Sequence, residues 1–292
     1  MSSKESGSYL PALLSVHIAT LLFGLAGVLG AVAGLNAFEV TFGRTLFASV
    51  ALLAVCYYFK RPASSNTVRP VLTLMVLSGA LLAFHWVVFF ASIQVSTVAI
   101  GLVTFSTCPV FVALFEPLFF REKFKLTSLL ASCCVLSGVV IISGVHSGDV
   151  AYLPGILLGI SSGASFAVLQ LLNRKLGAAS GPVVTALIQN AVATILLLPV
   201  VVLGLGAIQL NQWALLIFLG VGCTALAHTL FIDALKSIKV ATASLIAAGL
   251  EPLYGIALAA LFLAQLPPPN VMMGGSIILI TVSVMTLQSR KT

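Results

Sequence analysis

The sequence predicts an all-α membrane protein of ten transmembrane helices, arranged as two inverted five-helix repeats with both termini cytoplasmic. Three observations predict it. First, 60% of the 292 residues are hydrophobic and 7% charged, against about 25% charged in soluble domains, so there is no polar material to coat a globule. Second, the apolar residues come in runs near 20 long, the length that crosses about 30 Å of hydrocarbon at 1.5 Å per residue. A β-barrel would instead alternate polarity in segments of about 10 residues. Third, the chain repeats itself: the stretch Gly79–Phe119 returns, diverged, at Gly222–Phe262, a constant offset of 222 − 79 = 143.

That offset aligns more than leucines. It places Gly79 on Gly222, His85 on His228, Ala91 on Ala234, Leu102 on Leu245 and Pro109 on Pro252. It also carries Pro11 onto Pro154, Phe23 onto Phe166, Gly34 onto Gly177 and Ala48 onto Ala191. An internal duplication follows, with a tail over 1–9, a first repeat over 10–146 and a second over 150–288.

Taken in order, the first span (10–33) follows a short polar tail with no small-residue cleavage site after it, so it reads as a membrane helix and not a removable signal. Spans at 37–58, 71–92, 97–119 and 126–145 complete the first repeat. Those at 153–173, 181–204, 212–234, 240–264 and 270–288 make the second. Short connections make neighbours antiparallel. The Lys and Arg residues test the count. Lys4; Lys60, Arg61 and Arg69; Arg121, Lys123 and Lys125; Arg174 and Lys175; Lys236 and Lys239; and Arg290 and Lys291 all fall in alternate connections or tails. The other connections, around 35–37, 94–96, 146–152, 204–211 and 266–269, contain none. The positive-inside rule then puts both termini in the cytoplasm, and the net charge of +7 reads as topology, not as a nucleic-acid surface. Five spans per repeat is odd, so the second repeat enters from the opposite side. Inverted repeats are a signature of alternating-access transporters, with the substrate site near the midplane between halves.

Cys56, Cys108, Cys133, Cys134 and Cys223 lie in apolar segments with no CxxC spacing and read as buried free thiols. Gly155, Gly159 and Gly163 recur every fourth residue, as do Gly30 and Gly34, spacing that lets helix backbones approach closely in lipid.

Ionisable residues at membrane depth are functional candidates. Glu251 stands out: it lies eleven residues into its span and is followed by Pro252, which removes a backbone hydrogen bond from the preceding turn. A carboxyl there can bind a cation or amine, or take up a proton. His85 and His228, repeat mates, read equally as pocket lining or as neutral imidazoles bonded to a neighbouring helix. Trp86, Phe84, Phe89 and Phe90 crowd the turns around His85, and aromatic faces beside a carboxylate would suit an amine. Gln170, Gln189 and Asn190 are neutral hydrogen-bonders that line a pore or join helices. Phe23 and Tyr254 complete the candidate cavity, with Pro109, Pro252 and Arg44 as candidate coupling or gating residues. For Arg44 a structural pair with Glu39 is the favoured reading, with an anion site facing the cavity as the alternative. Glu116 and Asp233 read as solvated or paired helix ends.

The two-fold five-helix repeat, the TLLFG turn at Thr20–Gly24, Phe42-Gly43-Arg44, and the two long blocks with Pro109 and Pro252 resemble EamA-type carriers of the drug/metabolite transporter superfamily. FFREKF at 119–124, with Glu122, looks like that family's repeat boundary. In the second half, LFLAQLP at 261–267 has Gln265 where the acidic residue is expected, so that position is not required in both halves. The resemblance implies a carrier of amino acids, nucleotide precursors, amines, vitamins or other metabolites, often outward and often proton-coupled; fold alone does not name the substrate.

The sequence thus predicts a secondary carrier in the cytoplasmic (inner) membrane, a monomer or homodimer without cofactor or bound metal. It would move a small metabolite, foremost an amino acid or related compound outward, with protons as the candidate coupling ion. Uptake of a choline-like cation is the alternative. An ATPase, an intramembrane enzyme and a channel rank lower: GxxxxGK[ST] and HExxH are missing from the sequence.

Overall fold

The computed structural model describes residues 3–59, 69–120, 126–143, 151–204 and 208–289. All regular structure among them is helical: α1 (Ser3–Val32), α2 (Ala37–Tyr58), α3 (Arg69–Gln94), α4 (Val98–Phe105), α5 (Cys108–Phe120), α6 (Leu126–Ser143), α7 (Leu153–Ser180) and α8 (Pro182–Gly204). Then follow α9 (Leu210–Gly220), a π-helical segment (Val221–Leu226), α10 (Ala227–Ala234), α11 (Val240–Leu263) and α12 (Pro269–Ser289). Eight stretches are long and apolar enough to cross a membrane, with α4–α5 counted as one and α9–α10 as another. In α6 and α12 the apolar stretches among the described residues are shorter, Cys133–Ile142 and Pro269–Thr281. Lys60, Arg61, Arg121, Glu122, Lys123, Lys125, Asp149, Arg290 and Lys291 lie outside the described residues.

Three local features depart from uniform helices. The fourth predicted span breaks at Ser106-Thr107. Pro109 has no N–H to offer the carbonyl four residues back, that of Phe105, and its ring crowds that turn. At the break, the Thr107 N–H donates to the Thr104 carbonyl at 3.2 Å and Ser106 Oγ to that of Leu102 at 2.9 Å. Its repeat mate Pro252 is instead accommodated within a continuous α11. The eighth predicted span passes through six residues of π-helix, Val221–Leu226, whose closing bond runs from Ala227 N–H to the Gly222 carbonyl. Finally, α7 continues to Ser180, so Arg174 and Lys175 stand in its last turns and not in a connection.

Packing follows the 143-residue offset, but the halves exchange partners. α1 lies on α11, α10 and the π segment, which belong to the second half; α7 lies on α3, α4 and α5, which belong to the first. α2 packs on α8 and α9, and α6 on α12. Each moiety of the bundle therefore contains helices of both repeats. Small residues set these distances. A Cβ on Gly24 of α1 would stand 3.0 Å from the Glu251 carbonyl of α11, and one on Gly163 of α7 would stand 2.8 Å from the Phe105 carbonyl. The Gly155–Gly163 ridge is thus a seam against α3 and α4, fastened by Ser92 Oγ donating to the Gly155 carbonyl at 2.6 Å. Gly34, by contrast, serves the α1–α2 turn with φ +63, and of its predicted pair only Gly30 packs, against Phe90.

Polarity is inverted relative to a soluble fold. Leu53, Ile195, Leu203, Leu261, Phe262 and Ile280 are exposed on the outside, while Arg44, His85, Gln189, Asn190, His228 and Glu251 are buried within. Cys108 and Cys223 are buried free thiols as expected, Cys56 is half-buried, and Cys133 and Cys134 are exposed on α6. Phe84 also faces outward, away from the aromatic turns to which its sequence neighbours contribute.

Because its Cβ would stand 2.8 Å from the Phe105 backbone carbonyl, Gly163→Ala is expected to destabilise the protein by about 1–3 kcal/mol, the usual cost of overpacking. Gly204→Ala, with nothing within 4 Å of the new methyl, is expected to stay within about 0.5 kcal/mol. Thermal unfolding of the two purified variants in one detergent checks the difference.

Candidate substrate cavity

Where the two moieties meet, α1, α2, α3, α4, α7, α10 and α11 enclose a cavity. Its lining includes Phe23, Arg44, His85, Trp86, Phe89, His228 and Glu251, seven of the residues singled out in the sequence. Ala26, Phe105 and Phe166 complete it. The free space within is about 20 Å³, room for one water and no metabolite. Two pairs of repeat mates face each other here. The rings of Phe23 and Phe166 (23 + 143 = 166) meet edge to face at 6.5 Å, and His85 and His228 both contribute to the wall.

Each polar group has a distinct support. Arg44, 1% exposed, lays its guanidinium over the Trp86 ring at 4.1 Å and reaches Phe90 at 5.3 Å. Its Nε donates to Thr224 Oγ1 at 2.8 Å and its Nη2 to the Cys223 carbonyl at 3.2 Å. The expected pair with Glu39 does not form: Glu39 accepts the Asn36 N–H at 2.9 Å while Asn36 Oδ1 accepts from Phe38 and Glu39, a capping box that satisfies the start of α2. Glu251, 3% exposed, has no partner for Oε2. Arg44 and Glu251 line the same cavity without a direct ion pair among the described residues.

The imidazoles are oriented from behind. His85 Nδ1–H donates to the Ser162 carbonyl at 3.1 Å and lies 2.8 Å from Ser162 Oγ, and the ring stacks on Phe166 at 4.7 Å. His228 Nε2–H donates to Gln189 Oε1 at 2.9 Å, and Gln189 Nε2 donates onward to Ser78 Oγ at 2.8 Å and Asn173 Oδ1 at 2.7 Å. With Nε2 committed as donor, a neutral His228 offers an acceptor lone pair at Nδ1, which has no partner.

Gln189 therefore supports the cavity from outside it. Gln170 does not line it either: its Nε2 donates to Cys108 Sγ at 3.2 Å. Asn190 donates to the Ala186 carbonyl of its own helix, and Tyr254 is half-buried beside Gly24. Pro109 and Pro252 shape the backbone near the cavity without entering its lining. Of the two aromatic walls missed in the sequence, Phe166 was indicated by the repeat offset from Phe23; Phe105 had no signal beyond preceding Pro109 by one turn. At the ends of helices, Glu116 meets Arg174 at 3.9 Å and Asp233 pairs with Lys236, as expected of paired ends.

A second hollow, about 260 Å³, opens between the start of α4 and the end of α11, among Thr97, Tyr152, Ala264, Gln265 and Pro267.

Comparison with known proteins places this architecture. The profile of the EamA-like transporter family matches the chain twice, over residues 10–144 and 153–287. The chain belongs to the EamA-like transporter family. It is a multi-pass membrane transporter and not an enzyme. An uncharacterized transporter of Bacillus subtilis, YxxF, is 27% identical over 90% of this chain and 84% of its own length. The S-adenosylmethionine uptake transporter of Rickettsia conorii is 29% identical over 48% of this chain and 46% of its own. A solved crystal structure superposes with a TM-score of 0.70 over 98% of this chain and 97% of that one, at 18% identity, a likeness of fold.

The support network sets an order of effects. Gln189→Leu strands the His228 Nε2–H and removes two further bonds, and is expected to cost about 1–3 kcal/mol or more. Gln170→Leu removes one N–H···S contact from a side chain whose Oε1 is already unpartnered and is expected to cost less. Comparing their melting temperatures with the parent's tests this order.

Proposed function

We propose that this EamA-like transporter is an alternating-access carrier of a small metabolite, foremost an amino acid or a compound bearing one. It spans the cytoplasmic membrane ten times, α6 and α12 included, with both termini inside. The supporting observation is the cavity where helices of both repeats meet. Glu251 Oε2 and His228 Nδ1, on residues lining it, are buried without partners; such groups are costly at membrane depth unless a ligand or proton engages them. The relative named for S-adenosylmethionine, itself an amino acid joined to an aromatic base, fits a cavity walled by Trp86, Phe89, Phe105 and Phe166. Arg44 weighs against the choline-like alternative, since its fixed positive charge occupies the Trp86 face that a quaternary amine would need.

Contacts between connections support the topology. Gln94 Nε2 donates to the Leu35 carbonyl at 2.9 Å and Gln212 Nε2 to that of Ala33 at 3.0 Å, gathering three of the charge-free connections at one end. Lys175 and Arg174 reach Phe119, Phe120 and Glu116, gathering basic residues with the end of α5. The double family match supports the two repeats. Outward transport and proton coupling are retained as the direction and ion to test.

In proteoliposomes, Glu251→Gln is expected to lower counterflow of labelled amino acids at least tenfold while leaving the melting temperature near the parent's. Unchanged turnover would remove Glu251 from the mechanism, and counterflow of choline in place of amino acids would reverse the choice of substrate. For topology, in a cysteine-free background, a membrane-impermeant maleimide added to intact cells should label Gln94→Cys. Ser237→Cys should react only after permeabilisation.

A further inference from the structure

We propose that Arg44 is the receptor for a substrate carboxylate, held in place by the π-helical segment and Thr224, and that the cavity is built for a zwitterion. This rests on the carrier reading above and names its substrate chemistry. Arg44 is a buried cation in the membrane interior whose hydrogen-bond partners, Thr224 Oγ1 and the Cys223 carbonyl, are both neutral. Those contacts use Nε and Nη2; among the described residues Nη1 has no partner. A planar fork with donors to spare is the geometry that receives a carboxylate in bidentate fashion. Glu251 is the one acid in the lining, and it is not ion-paired to Arg44. One guanidinium and one carboxyl thus face a common space without a direct ion pair. A ligand carrying both charges satisfies both, its carboxylate at Arg44 and its ammonium at Glu251 with the free Nδ1 of His228. A cation or anion alone leaves one of them stranded in low dielectric.

The backbone around Arg44 is specialised for this task. Gly220 lets α2 come so near that a Cβ there would stand 2.8 Å from the Arg44 carbonyl. The π segment follows immediately, and Thr224 Oγ1 donates to the Leu219 carbonyl five residues back at 2.7 Å, which turns its lone pair towards Arg44 Nε. A π turn inside an α-helix is a frequent mark of a functional site. Thr224 is accordingly a positioning residue that acts through Arg44.

The test uses the full-length protein purified in detergent, followed by thermal unfolding with each of the twenty proteinogenic amino acids. The same assay takes L-phenylalanine against L-phenylalaninamide, phenethylamine and 3-phenylpropionate. Stabilisation by at least one amino acid, with none from the amide, amine or deaminated acid, is the expected result. Stabilisation by the amide or amine equal to that by amino acids, or no shift from any amino acid, overturns the proposal. Counterflow of some other metabolite in the same preparation would then leave the carrier reading intact. Arg44→Gln is expected to abolish the amino-acid shift. Should that variant not fold, Thr224→Val keeps the charge and loses one charge-assisted bond. It is expected to raise the KM for counterflow about tenfold with the maximal rate little changed, and Thr224→Ser to restore it. An unchanged KM in Thr224→Val overturns the positioning role.

Discussion

A guanidinium buried among hydrocarbon-facing helices is the constraint around which this molecule is arranged. Water is missing from the bilayer core, so every polar group there has to be satisfied by protein or ligand. Arg44 reaches 1% exposure only because two elements converge on it: α3, with Trp86 beneath its plane, and the π segment, with Thr224 at its Nε and the Cys223 carbonyl at its Nη2. Each contact demands another. Thr224 must lie in the π turn, the π turn must approach α2, and Gly220 must lack a side chain for that approach to occur.

The duplication supplies a symmetric frame on which asymmetric chemistry is mounted. Phe23 and Phe166 meet as repeat mates, and His85 and His228 both wall the cavity. The charged groups have no charged mates. Arg44 corresponds to Leu187 (44 + 143 = 187) and Glu251 to Cys108 (108 + 143 = 251). Cys108 is engaged by Gln170, so the first half has a neutral hydrogen-bonded contact where the second has a carboxyl. The cavity thus holds one guanidinium and one carboxyl, each contributed by a single repeat. In the carrier mechanism proposed above, the scaffold's symmetry would serve opening and closing, and its broken symmetry recognition.

The same division explains what could be read from the amino acids alone. Hydropathy, the placement of basic residues and the constant offset are properties of whole helices, repeated often enough to survive divergence. They gave the helical class, the membrane reading and seven cavity residues. The misses are local competitions. Asn36 and Glu39 stand three apart at a helix start, the spacing of a capping box, and that nearby partner outcompetes Arg44 for the carboxylate. Pro109 and Pro252 look alike in the sequence, yet one breaks its helix and the other does not. Ser106 and Thr107 offer side-chain and backbone donors to tie off the broken turn, while Gly249 and Leu250 at the mated positions offer no side-chain donors. Gln170 and Gln189 are equally polar and equally buried; only their neighbours make one a support for His228 and the other a contact to a thiol. The π segment leaves no periodic signature, since its six residues span fewer than two turns.

Partner exchange between the repeats finally constrains how such a cavity can open. If each repeat formed its own bundle, the cavity would part along a seam between two separately folded pieces. Here α1 is fastened to α10 and α11, and α7 to α3, α4 and α5, so any rigid body that moves contains both ends of the chain's history. In the alternating-access mechanism proposed above, opening would part Phe23, His228 and Glu251 from His85, Trp86, Phe105 and Phe166, all of which line the cavity. The stacked contact of His85 on Phe166 would travel intact, whereas the edge contact of Phe23 on Phe166 would break. Arg44 bridges the divide, with its hydrogen bonds on the Thr224 side and its ring contact on the Trp86 side. On the proposed binding mode, a substrate that draws the guanidinium towards itself would act on both moieties at once.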